Sequence, residues 1–152
     1  MNAAALKIRE AVEADLPSIL ALYSEVGDAQ VLPPDRATAT FERMKMYPDY
    51  HVYVATIDGT IVGTFALLIV DNLAHLGAPS GVVEDVVVSA ERRGQGIGKQ
   101  MMQFAMGRCR ERGCYKMALS SNITREAAHR FYESLGFERH GYSFCVWLTE
   151  QL

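Results

Sequence analysis

The chain of 152 residues is 49% hydrophobic and 22% charged, near the soluble globular average and long enough for one domain with one sizeable core. Its net charge of -3 argues against a nucleic-acid binder that relies on a broad basic face. The longest apolar stretch, Ile61 to Val70, is too short to span a bilayer, and MNAAALKIRE lacks the basic start and apolar core of a secretory signal. A cytoplasmic single domain over residues 1–152 is therefore expected, with no membrane and no nucleic acid among its partners.

Leu6 to Val12 reads as a first strand. Asp15 follows as an N-cap, and Leu16, Ile19, Leu20, Tyr23 and Val26 recur at helical spacing up to Gly27, which can end that helix. Asp35 can cap a second helix that turns Phe41 and Met44 inward and closes before Pro48. His51 to Ile57 and Thr60 to Val70 form a hairpin around Asp58-Gly59. A polar loop, 71–80, leads to the strand Val82 to Ser89 and then to a helix from Ile97 to Arg112, with Gly113 just past its end. Tyr115 to Ser120 is another strand, Thr124 to Leu135 a helix with Ala128, Phe131, Tyr132 and Leu135 inward, and 137–149 a last strand region. The order β-α-α-β-β-β-α-β-α-β is that of an α/β (α+β) fold. A helical crossover after Ser89 makes one strand pair parallel, so the sheet is mixed.

The three cysteines, Cys109, Cys114 and Cys145, contain no CxxC pair and read as reduced packing residues. The four histidines form no cluster at ligand spacing, so no metal is inferred. His75, in the loop before the valine strand, is a candidate wall of a substrate pocket, or an ordinary surface histidine.

The informative stretch is GVVEDVVVSAERRGQGIGK, Gly81 to Lys99. Arg93-Gly94-Gln95-Gly96-Ile97-Gly98 follows a strand and opens a helix, where orphan N–H groups and the helix dipole favour an anion, with Arg92, Arg93 and Lys99 close by. The spacing is GxGxG rather than GxGxxG, and Gln100 follows Lys99 where a P-loop has Ser or Thr. Dinucleotide and P-loop sites are thereby disfavoured, leaving an anion cradle of another kind or a turn that merely packs helix on strand.

Arg93-x-x-Gly96-x-Gly98 resembles the [Q/R]-x-x-G-x-[G/A] acyl-CoA motif of the GCN5-related N-acetyltransferases (GNAT). The later segment Ala127 to Phe137 resembles the same family's "FY…GF" helix, and the element order matches along almost the whole chain. The run Val83 to Val88 with its turn is similar to the glucosamine-6-phosphate N-acetyltransferase branch. The ending, Glu138 to Phe144, departs from that branch and leaves its acceptor in doubt. The resemblance implies a GNAT fold of six or seven strands and four helices that uses acetyl-CoA as acyl donor. It implies that backbone groups of Val86, Val87 and Val88 bond the pantetheine arm, and that Gly94, Gln95, Gly96, Ile97, Gly98 and Lys99, with Arg93, hold the pyrophosphate. Tyr132 becomes the general acid for the thiolate. Asn122, ten positions earlier and farther than the family's common spacing, stands in for an asparagine that contacts the pantetheine.

Strand alternation puts Glu84 with Val86 and Val88, and Asp85 with Val83 and Val87, so only one acid shares a face with a given pocket. An amine must lose a proton before it attacks, and Glu84 is the first choice to take it. A chain of waters is the alternative. In the similar branch the Glu-Asp pair contacts the acceptor, which implies Glu84 and Asp85 as substrate contacts. The expected activity is direct acetyl transfer to a primary amine of a small molecule. Protein or peptide acetylation competes with it, and so does a non-catalytic acyl-CoA sensor or partner subunit. Homodimers are common in the family, although no residue here marks an interface.

Overall fold

The computed structural model describes residues 4–26 and 30–150. The chain divides into two compact units, Met1–Ala118 and Leu119–Leu152. In the first, strands β1 (Leu6–Glu10), β2 (Tyr50–Ile57), β3 (Thr60–Val70), β4 (Ser80–Val88) and β5 (Lys116–Ala118) form one sheet in chain order. Neighbours are antiparallel as far as β4, and β5 runs parallel to β4. Helices α1 (Leu16–Ser24), α2 (Pro34–Met44) and α3 (Ile97–Glu111) belong to this unit, and α4 (Glu126–Ser134) to the second.

The expected elements are present with one exception. Residues 137–149 form no strand among the described residues. A strand exists by its ladder partners rather than by its own composition, and Tyr142, Phe144, Trp147 and Leu148 stand exposed instead of lining a sheet face. Among the described residues the sheet therefore has five strands, not six or seven. Asp15 also differs from expectation. Its carboxylate does not cap α1 but accepts the Val12 N–H at 2.8 Å and takes both Arg9 guanidinium nitrogens, at 2.6 and 2.9 Å. The hydrogen bond from Arg9 holds this nearly buried carboxyl below its ordinary range. The expected stop at Gly27 lies outside the described residues; α1 itself ends at Ser24.

The hairpin needs φ > 0 at both turn residues, and Asp58 and Gly59 supply it at 48° and 77°. On one face of the sheet Tyr53 and Phe65 stack at 5.1 Å, and Phe104 of α3 meets them edge-on. Burying side chains such as Phe65 and Leu67 contributes about 1.5–3 kcal/mol each. Gly81 lets α3 approach, because a Cβ there would collide with Cys109 Sγ. The other face carries Val54, Thr64 and Ala66 beneath α1, whose Ile19 and Leu22 are buried. No helix among the described residues is long and apolar enough to cross a membrane.

Candidate active site

Strand β4 is paired unequally on its two sides. Toward β3 its ladder runs to Val88, but it is broken in the middle: Glu84 pairs with Ala66 and Val87 with Thr64, so Asp85 and Val86 together oppose Phe65. This is a β-bulge, with Asp85 in the left-handed region at φ 53°. The extra residue overturns the expected alternation. Glu84 now shares a face with Val87, the face of Thr64 and Ala66 beneath α1, while Val83 and Val88 lie on the α3 face. Both acids are exposed, so the bulge does not force a choice between them.

Toward β5 the ladder covers only Ser80 to Val82. From Val83 onward that edge of β4 has no strand partner among the described residues. The main-chain groups of Val86, Val87 and Val88 that point this way can bond an amide-bearing chain as they would an added strand.

Asp tolerates the left-handed region because its short side chain bonds locally; a β-branched residue does not. Asp85→Val is therefore expected to destabilise the protein by about 1–2 kcal/mol in urea unfolding, and Asp85→Gly to leave it unchanged or more stable. Equal midpoints for the two variants would refute a strained bulge.

At the end of β4 the chain enters a single turn, Ala90–Arg92, pinned at both sides. Ser89 N–H bonds Val62 O at 2.8 Å, and Ala90 N–H donates to Glu25 Oε2 at 2.8 Å. Gly94 and Gly96 follow, both at φ 77°. Gly96 is the N-cap of α3, and the first helical bond runs from Gln100 N–H to Gly96 O. The N–H groups of Ile97, Gly98 and Lys99 thus lack an intrahelical acceptor. A Cβ on Gly94 or Gly96 would meet nothing within 4 Å, so these glycines serve backbone conformation and leave the amides uncovered. Ile97 is buried and fixes the helix start, while Arg92, Arg93, Gln95 and Lys99 are exposed. Bare amides, the positive end of a 15-residue helix and three cations fit a diphosphate.

Around the bulge lie three tyrosines, Tyr23, Tyr47 and Tyr50. Tyr23 of α1 lies beside Thr64, with Asp85 and Tyr50 close enough to act on its phenol. Burial, then Asp85 and Tyr50, push that phenol well above its ordinary range. Tyr50, on the same sheet face opposite Leu68, is raised by burial, then by Asp85, Glu84 and Tyr47. Tyr47 meets it edge-on at 5.8 Å. Tyr23 had counted only as one apolar position of a helical stripe, and nothing local distinguished it.

His75 is placed elsewhere. It precedes β4, with its ring stacked on Tyr115 at 4.2 Å. The five residue steps from Ser80 to Asp85 span roughly 17 Å. Its side chain serves the loop rather than the carboxylates at the bulge. An open groove lined by Leu16, Leu20, Pro34 and Thr38, with Glu13, offers no acid–base pair.

In the second unit Tyr132 lies half-buried on α4, its ring edge-on to Phe137 at 5.4 Å. Burial raises its phenol, opposed by Arg125. Asn122 is engaged locally: its Oδ1 accepts Thr124 N–H at 2.9 Å and Thr124 Oγ1–H at 2.8 Å. Only its amide NH₂ is left to donate to a ligand. Burial, reinforced by Cys114, pushes the Cys109 thiol up to about 12, which suits packing and not nucleophilic attack.

A model of the acetyltransferase (GNAT) family matches residues 16–137. Glucosamine 6-phosphate N-acetyltransferase of Trypanosoma brucei brucei is 34% identical over 136 residues, 89% of this chain and 90% of that protein. Aminoalkylphosphonate N-acetyltransferase of Salmonella typhimurium is 30% identical over 138 residues, 91% of this chain and 88% of that protein. Among solved structures, a Bacillus halodurans C-125 protein described as a transcriptional regulator superposes with a TM-score of 0.89 at 28% identity, covering 95% of this chain and 100% of that one.

Proposed function

This chain belongs to the acetyltransferase (GNAT) family, and from that premise we propose how it moves an acetyl group from acetyl-CoA to the primary amine of a small molecule. The observation that carries the reading is the half-open edge of β4, which ends in the uncovered amides of the glycine turn. A pantetheine arm has amides to offer the first, and a diphosphate has charge to offer the second.

In this reading Val86, Val87 and Val88 hold the arm, and the turn from Arg93 to Lys99 holds the diphosphate. Asn122 contributes one amide donor. Glu84 takes the proton from the attacking amine, and Asp85 contacts the acceptor. The amine adds to the thioester carbonyl, the C–S bond breaks, and Tyr132 gives its proton to the departing sulfur. The main-chain break at Asp85 supports the acceptor lying there, since a bulge re-aims side chains beside a site.

We assign both compact units to one catalytic domain; the family match from residue 16 to 137 crosses their boundary and supports this. Three free cysteines support a reducing, cytoplasmic compartment. Exposed Tyr142, Phe144, Trp147 and Leu148 support a homodimer. Sedimentation at micromolar concentration is expected to give twice the chain mass, and Trp147→Glu to shift it toward one.

Thiol release from acetyl-CoA tests the activity directly. Glucosamine 6-phosphate or an aminoalkylphosphonate is expected to support turnover, and lysine-bearing peptides are not. Preference for peptides would make the acceptor a protein. Tight acetyl-CoA binding without turnover on any amine would make the chain a sensor.

A further inference from the structure

Resting on the acetyltransferase reading, we infer that Tyr23 and Tyr50 are specificity-determining residues that, with Glu84 and Asp85, receive an aliphatic amine as its ammonium ion. The four residues come from three elements, and Tyr50 and Glu84 share the sheet face that α1 covers. Register puts Glu84 opposite Ala66 and Tyr50 opposite Leu68, two positions apart along β3. Asp85 follows Glu84 at the bulge, and α1 packs on β3 and β4 with the Tyr23 phenol near Thr64 and Asp85.

An aliphatic amine has a pKa of about 10 and reaches the enzyme charged. Leaving water costs it several hydrogen bonds, and only acceptors can replace them. Two carboxylates and two phenol oxygens are such acceptors, and tyrosine rings attract a cation to their faces. Burial keeps both phenols neutral, so they add hydrogen-bonding oxygens without a third and fourth negative charge. A neutral arylamine gains little from this surroundings. The location of Tyr23 is also fixed. Two residues beyond it Glu25 accepts the Ala90 N–H, which ties the end of α1 to the turn that leads into the glycine segment.

The test is steady-state kinetics of Tyr23→Phe and Tyr50→Phe with glucosamine 6-phosphate, an aminoalkylphosphonate and aniline as acceptors. In each variant the KM for the better aliphatic amine is expected to rise about tenfold, the size of one hydrogen bond to a charged group. The acetyl-CoA KM and the slow arylamine rate are expected to stay within twofold. Packing alone would move all three constants or none. An unchanged aliphatic KM in either folded variant overturns the inference, as does wild-type preference for aniline. Absence of turnover by the unaltered protein on every amine overturns the acetyltransferase reading itself.

Discussion

Gly96→Glu is expected to abolish acetyl-CoA binding, raising the Kd at least about a hundredfold in calorimetric titration, while the protein still folds. The substitution acts in two ways of different size. Holding an L-residue at φ 77° costs about 1–2 kcal/mol of strain, partly offset because a carboxylate at a helix N-terminus is favourable by about 0.3–1 kcal/mol. A Cβ at this position meets nothing within 4 Å, so no packing is lost. The carboxylate, however, occupies the space above the amides of Ile97, Gly98 and Lys99 and opposes the diphosphate charge. Gly96→Ala separates the two contributions, since it keeps the strain without the charge and should weaken binding about tenfold or less. A Kd within a few-fold of wild type in Gly96→Glu would make the turn a packing device only.

Tyr132→Phe should lower kcat by about 10²–10³ with the acetyl-CoA Kd nearly unchanged, because only the phenolic hydroxyl is removed. Burial raises the phenol from its ordinary value of 10.0. An acid must be protonated to act, and a raised pKa keeps it so. The wild-type rate should therefore show no Tyr132-dependent fall until the pH exceeds 10.0. A phenylalanine variant that turns over normally would remove Tyr132 from the reaction. One that loses acetyl-CoA affinity instead would make the ring a binding contact.

The glycine turn was legible because its demands fall on residue type. Positive φ at positions 94 and 96 admits glycine far more readily than any other residue, so the requirement is written in the sequence. The hairpin at Asp58-Gly59 was legible for the same reason. The bulge at Asp85 was not, since it depends on which residues of β3 oppose it, and an aspartate in a valine run suits many structures. Its sign was there only as an acid where a valine would continue the strand. The short pairing of β5 is a long-range outcome of the same kind. Tyr23 was visible as one position of an amphipathic stripe, and only tertiary packing shows that its hydroxyl reaches the neighbourhood of Asp85. Residues 137–149 show the converse failure: β-branched and aromatic composition without a ladder.

The unfinished edge of β4 has a consequence for how such a protein diversifies. In the proposed function main-chain atoms grip the donor there, and every residue type but proline carries the same main-chain atoms. Mutational drift along Val86 to Val88 can thus leave donor recognition intact while Glu84, Asp85, Tyr23 and Tyr50, to which we assign side-chain roles, are free to be rewritten. A scaffold divided in this way can keep one acetyl source and change its acceptor by exchanging a handful of side chains.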